Sequence, residues 1–173
     1  MGRSHGLLRL GMLCLLGALA SLVRAQPAVE VSPGFSQRDL AAHVQVLEDA
    51  EGVLGIDAVR NADGFTPLPD AGGNFGFSTS VWWVRFAVHN PGTDTVELLL
   101  RQNYPLIDHL DLWLPERDGG MRHVRTGDRE PFASRDIDLR NFVFGLSVPS
   151  GQTVPVYVRF ATGGSMYISR QVS

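Results

Sequence analysis

The sequence has no lysine, one cysteine and one long apolar run, and each shortage narrows what the protein can be. Every basic side chain apart from histidine is arginine, a compositional trait that makes arginine abundance weak evidence for any function. The cysteine, Cys14, falls in an N-terminal stretch built like an export signal. Arg3 and Arg9 accompany an uncharged run from Leu10 to Val23, and Val23-Arg24-Ala25 offers a cleavage point. The run is 14 residues long, whereas a helix crossing a bilayer needs roughly 20. Residues 1–25 therefore read as a cleaved signal peptide rather than an anchor, and Gly11-Met12-Leu13 before Cys14 is a poor lipoprotein context. No later stretch is long and apolar enough to span. The mature chain has no thiol, which excludes disulfides, thiol catalysis and cysteine metal sites and leaves the hydrophobic core to stabilise the domain.

Catalytic signatures are missing as well. The chain has no Gly-x-Ser-x-Gly elbow, no His-Glu-x-x-His pair and no phosphate-binding glycine loop. Internal repeats, heptads and low-complexity blocks are absent too. Without Arg3, Arg9 and Arg24 there are 12 arginines against 18 carboxylates, so the net charge moves from -3 to -6. An acidic exported domain is a poor partner for nucleic acid or an anionic membrane surface.

What is present is a chain of strand signals. Gln26 to Gly34 is a Pro-containing lead-in expected to be loosely ordered, and His43 to Leu47 alternates as a first strand. Gly55 to Asn61 suits two helical turns at most, ended by Asp63-Gly64. Phe65 to Ser80 reads as a loop, rich in Gly, Pro and Asn, with three phenylalanines. The strongest strand is Val81 to His89. Alternation puts Trp82, Val84, Phe86 and Val88 on a core face, with Val81, Trp83, Arg85 and Ala87 on the other. Asn90 to Asp94 then reads as the turn of a hairpin leading into Thr95 to Gln102. Ile107 to Leu114 turns Leu110, Leu112 and Leu114 inward and His109, Asp111 and Trp113 outward. Further strands follow at Met121 to Thr126, Phe142 to Val148 and Val154 to Phe160, the last with Tyr157 and Arg159 outward, and a short one runs from Tyr167 to Val172. Such spacing, punctuated by Gly, Pro, Asn and Asp, predicts an all-β antiparallel sandwich or jelly roll.

Sites are harder to read. Trp83 beside Arg85 suits stacking on a ligand and hydrogen bonding to it, and equally suits a half-buried indole with a snorkelling arginine. His109 and Asp111 share a face while Asp108 lies opposite, so a three-ligand metal site is disfavoured there. Asp136 and Asp138 lack the glycine-rich loop of a calcium site. Arg129, Arg135 and Arg140 sit in an irregular segment between strands, where sandwich domains tend to carry binding residues.

The ordered motifs resemble a known family. They are Gly76-Phe77-Ser78, Val81-Trp82-Trp83-Val84-Arg85-Phe86, Asn90-Pro91, Tyr104 to Pro115, Arg125 to Arg129, Pro131-Phe132, Arg135, Arg140 to Phe144 and Tyr157-Val158-Arg159. In this order they are similar to the second type of extracellular sensor domain of the 7TM-DISM receptors, bacterial receptors with seven membrane helices and diverse intracellular signalling modules. The resemblance covers 43–173 as a periplasmic sensor domain, which leaves the signal peptide (1–25) and the lead-in (26–42) before it. It implies a jelly roll like that of carbohydrate-binding modules, without catalysis, metal or cofactor. It also implies signal transduction through a diguanylate cyclase, histidine kinase or phosphatase module. Carried over by motif, the ligand-binding positions are Trp83, Arg85, Tyr104, Arg129, Arg135 and Arg140. The expected partner is a glycan or a carboxylate-bearing small molecule. Such receptors continue into a seven-helix segment, and this chain stops at Ser173 before one, as a receptor fragment or as a free-standing periplasmic domain. The alternatives are a structural or dimerising domain and a jelly-roll enzyme acting on glycans, which needs a facing carboxylate pair.

Overall fold

The computed structural model describes residues 27–32, 38–69, 73–116, 119–168 and 171–172. The signal peptide expected over residues 1–25 lies outside them. In chain order the strands are β1 (Val29–Glu30), β2 (Arg38–Asp39), β3 (Gln45–Asp49), β4 (Thr66–Pro67), β5 (Asn74–Phe77), β6 (Val81–His89) and β7 (Val96–Gln102). They continue with β8 (His109–Pro115), β9 (Met121–Thr126), β10 (Phe142–Val148), β11 (Thr153–Ala161), β12 (Ser165–Tyr167) and β13 (Gln171–Val172). One short helix, α1 (Ile56–Arg60), follows β3. The large sheet has the order β4-β3-β6-β11-β8-β9 with β1 against β6, the second sheet β10-β7-β13-β2, and β12 pairs with β5. Every pairing is antiparallel except that of β1 with β6.

The core lies between the two larger sheets and follows the alternation of the strands. Val84, Phe86 and Val88 of β6 meet Val156 and Val158 of β11, Leu110, Leu112 and Leu114 of β8, and Leu98, Phe144 and Leu146 from the second sheet. This is the all-β antiparallel sandwich that the strand spacing predicts. The ladder between β11 and β8 ends at Tyr157 opposite Trp113. Two positions further in the same register stand Pro155 and Pro115, and neither has an N–H to donate. The two prolines therefore set the extent of the ladder.

Several local expectations change. β6 and β7 do not form a hairpin, because they belong to different sheets. Asn90 is the reason. Wholly buried, it donates from Nδ2 to the Val148 and Asp94 carbonyls at 2.8 Å each and accepts from the Gly92 N–H at 3.0 Å. Its backbone N–H donates to the Gln152 carbonyl, and its carbonyl accepts from Gly151. The turn is thus tied to the β10–β11 turn, and the chain crosses the core instead of folding back.

The described part of the lead-in joins the sandwich, since Val29 and Val31 are buried and the Val31 N–H reaches the His89 carbonyl. Their apolar side chains close the β1 end of the core. The first strand sits two residues later than alternation suggests, at Gln45–Asp49, because residues 41–43 form a 3-10 turn. The segment from 65 to 80 contains β4 and β5, and the last strand divides into β12 and β13. Short strands at sheet edges carry too few residues for a readable period.

Asn90→Ala strips three groups, the Val148 and Asp94 carbonyls and the Gly92 N–H, of their side-chain partner. The expected cost is about 3 kcal/mol. Urea denaturation should show a lower midpoint with an unchanged slope.

Candidate functional site

The outer face of the large sheet is divided in two. Over β3 and β6 it is covered: Val81 and Trp83 pack with Phe65 and with Val59 of α1, and Leu47, Leu54 and Ile56 close the cluster. Asp49 holds this cover in place, accepting from the Val53 and Leu54 N–H groups at 3.2 and 2.9 Å. Over β8, β9 and β11 the face is open. An exposed groove runs there, walled by Leu54, Gly55 and Ile56 and floored by side chains of the sheet.

Register assembles the floor. Trp83 lies opposite Arg159, Arg159 opposite Asp111, and Asp111 opposite Arg125. The neighbouring row runs Arg85, Tyr157, Trp113, His123. Trp83 and Trp113 stack diagonally across β11 with ring centroids 5.0 Å apart. Trp113 then stacks on His123 at 4.5 Å, the two planes only 2° apart. The result is a continuous aromatic platform, deep at Trp83, which is 0% exposed, and open at Trp113 and His123. The Trp83 indole N–H has no acceptor among the described residues.

Charged groups edge this platform. Asp111 is buried and accepts from His123 Nε2 at 2.8 Å, with Arg159 Nη1 at 3.5 Å from its other oxygen. Glu130 accepts at Oε1 from His109 Nδ1 and Arg125 Nε, both at 3.0 Å. Those donors hold the Glu130 carboxyl below the ordinary range, Arg125 first and His109 second. At the end of the groove Asp108 turns away from His109, as alternation predicts, and is held low chiefly by the Gly163 N–H, with Arg129 adding to it. Gly127 pins this end, because a Cβ there would stand 2.0 Å from the Asp108 carbonyl oxygen. Among the described residues no three His, Cys, Asp or Glu side chains converge as a metal site.

A family model described as 7TMR-DISM extracellular 2 matches residues 41–173. The chain belongs to this family. No curated protein matches it in a sequence comparison. The 7TMR-DISM extracellular domain is thus the sandwich itself, and among its described residues no helix is long and apolar enough to cross a membrane.

The structure separates the six residues singled out from sequence. Trp83 and Arg85 share the face opposite Phe86, and Trp83 lines the groove. Arg85 lies under the cover: its guanidinium is 4.0 Å from the Phe65 ring centroid, and Nε donates to Gln45 Oε1 at 2.8 Å. Burial lowers its pKa from the ordinary arginine value. Tyr104 follows β7 and packs against the inner core, edge-on to Tyr167. Arg135 stacks on Phe142 at 3.9 Å, with Nε and Nη1 buried and without a partner among the described residues, and Arg140 is exposed just before β10. Arg129 pairs with Asp108. The groove is lined without Tyr104, Arg129, Arg135 and Arg140. The residues that do line it and were not singled out are Trp113, His123, Arg125 and Arg159, together with His109 and Asp111, weighed only as metal or acid-base groups. Their signal was available: they are the outward positions of three strands.

Asp108 and Glu130, both depressed, contribute stability that is fully present above the ordinary carboxylate range of about pH 4 and is lost as pH falls through their lower folded values. Carboxyl-carbon NMR titration should place both midpoints below those of the unfolded chain. Arg125→Gln should raise the Glu130 midpoint and leave Asp108 unmoved.

Proposed function

We propose that this domain is the non-catalytic, periplasmic ligand-sensing part of a bacterial signalling receptor, and that it binds a carbohydrate or a carboxylate-bearing small molecule in the groove over Trp113. The observation that carries this reading is the aromatic platform of Trp83, Trp113 and His123, open on one side and edged by hydrogen-bonding charges. A sugar ring presents an apolar face that stacks on an indole, while its oxygens reach groups around the rim. The rigid sheet fixes these groups in advance, which lowers the entropy lost on binding.

A glycan-cleaving role finds less support. Hydrolysis asks for two carboxyl groups facing the bond, one able to give a proton and one able to attack or activate water. Here Asp111 is buried between His123 and Arg159, and Glu130 is tied to His109 and Arg125. Both carboxylates serve to hold cations in place. In a receptor, a ligand that favours one state of the domain shifts the signalling equilibrium by its difference in affinity between the states.

A glycan array probed with the exported protein, followed by calorimetry on the best hit, tests the proposal. Trp113→Ala should weaken binding at least about tenfold, the loss expected when a stacking platform and its buried area are removed. His123→Ala, at the exposed end of the same stack, should give a smaller loss. Full affinity in both variants, with their thermal melts intact, would place the ligand elsewhere.

A further inference from the structure

We propose that the groove selects acidic sugars: a uronate-type ring lies on Trp113 and its carboxylate is held between Arg159 and Arg125. The inference rests on the groove being the ligand site and adds the chemical class of the ligand.

The donor and acceptor inventory carries it. A neutral sugar is covered with hydroxyl groups, and each one both gives and accepts a hydrogen bond, so sites for neutral sugars need acceptors as well as donors. The one carboxylate in the groove lining is already engaged. Asp111 has one oxygen on His123 at 2.8 Å and the other facing Arg159 at 3.5 Å, and its side chain is only 5% exposed. Glu130, outside the groove lining, takes two donors on Oε1, from His109 and Arg125.

Donors are in surplus. Arg125 uses Nε on Glu130, which leaves both terminal nitrogens without a protein partner among the described residues, on a side chain 56% exposed. Arg159 spends one nitrogen on the long contact to Asp111 and keeps Nε and Nη2. A guanidinium offers its N–H groups as a planar fork that matches a carboxylate.

Position strengthens the argument. Arg159 and Arg125 stand in register on either side of Asp111. With strands about 4.8 Å apart their backbones are about 10 Å apart, a gap that two long side chains close around one carboxylate. The groove lining contains two arginines and one buried aspartate, with Glu130 beside Arg125 at the edge, in a chain whose net charge is -3. What the cleft offers an anion is a pair of directed guanidinium forks rather than net charge. The platform beside it calls for a ring rather than a bare anion.

Methyl β-D-glucuronide and methyl β-D-glucoside, which differ in one carboxylate against one hydroxymethyl group, are suitable probes for NMR titration of the exported protein at low salt. The glucuronide should bind at least about tenfold tighter, the scale of one charge-assisted contact. The preference should shrink toward unity in Arg125→Gln, whose exposed side chain leaves the fold intact. It should weaken less in Arg159→Lys, which keeps the charge and loses the fork. Equal affinity for both probes, with both lost in Trp113→Ala, would overturn the acid preference and leave the groove as a neutral-sugar site. No shift of groove resonances with either probe would overturn both.

Discussion

The contact between Trp83 and Trp113 is where the domain changes from core to site. A sheet in a sandwich buries one face against its partner and leaves the other to solvent. Here the outer face is itself split, because Val59 of α1 and Phe65 cover Trp83 while Trp113, at the rim of the same cluster, stays half-exposed. One indole is fixed by packing from all sides and presents an immobile surface to the other, which can then meet a ligand without being ordered first. The cover depends in turn on Asp49, whose carboxylate gathers the Val53 and Leu54 N–H groups at the edge of the groove.

Polar groups around the platform are fixed in a similar way. A buried aspartate on a sheet surface is costly unless it is paired, and Asp111 sits directly between Arg159 and Arg125 in the register with His123 above it. The pairing orients the imidazole flat on Trp113. Beyond β9 the irregular segment from 127 to 141 is tied across the sandwich edge. Asp136 pairs with Arg122 and accepts the Gly145 N–H, so β9 and β10 are linked through side chains rather than through a shared ladder. This protects two strand edges from pairing with other chains.

Much of the fold was legible because it follows a period of two. β6, β9 and β10 fall where alternation places them, and the inward sets of β6, β8, β10 and β11 are the core. Connectivity was not legible: Asn90-Pro91-Gly92 has the composition of a hairpin turn, and only the buried partners of Asn90 make it a crossover. The site was half legible for the same reason. His109, Asp111 and Trp113 were readable as one outward face, and Arg159 as another. Nothing in a linear sequence states that β11 lies between β6 and β8, or that β9 follows β8, and that order alone puts Arg159 and Arg125 beside Asp111. Motif position grouped Arg129, Arg135 and Arg140 by closeness in the chain. In space Arg135 stacks on Phe142 at the end of the sandwich, while Arg129 binds Asp108.

The most direct test of the groove as the ligand site is a crystal structure of the protein grown with methyl β-D-glucuronide. The account predicts the sugar ring on Trp113, with its carboxylate between Arg159 and Arg125. A ring bound instead among Tyr104, Arg135 and Arg140, with the face over Trp113 empty, would contradict it.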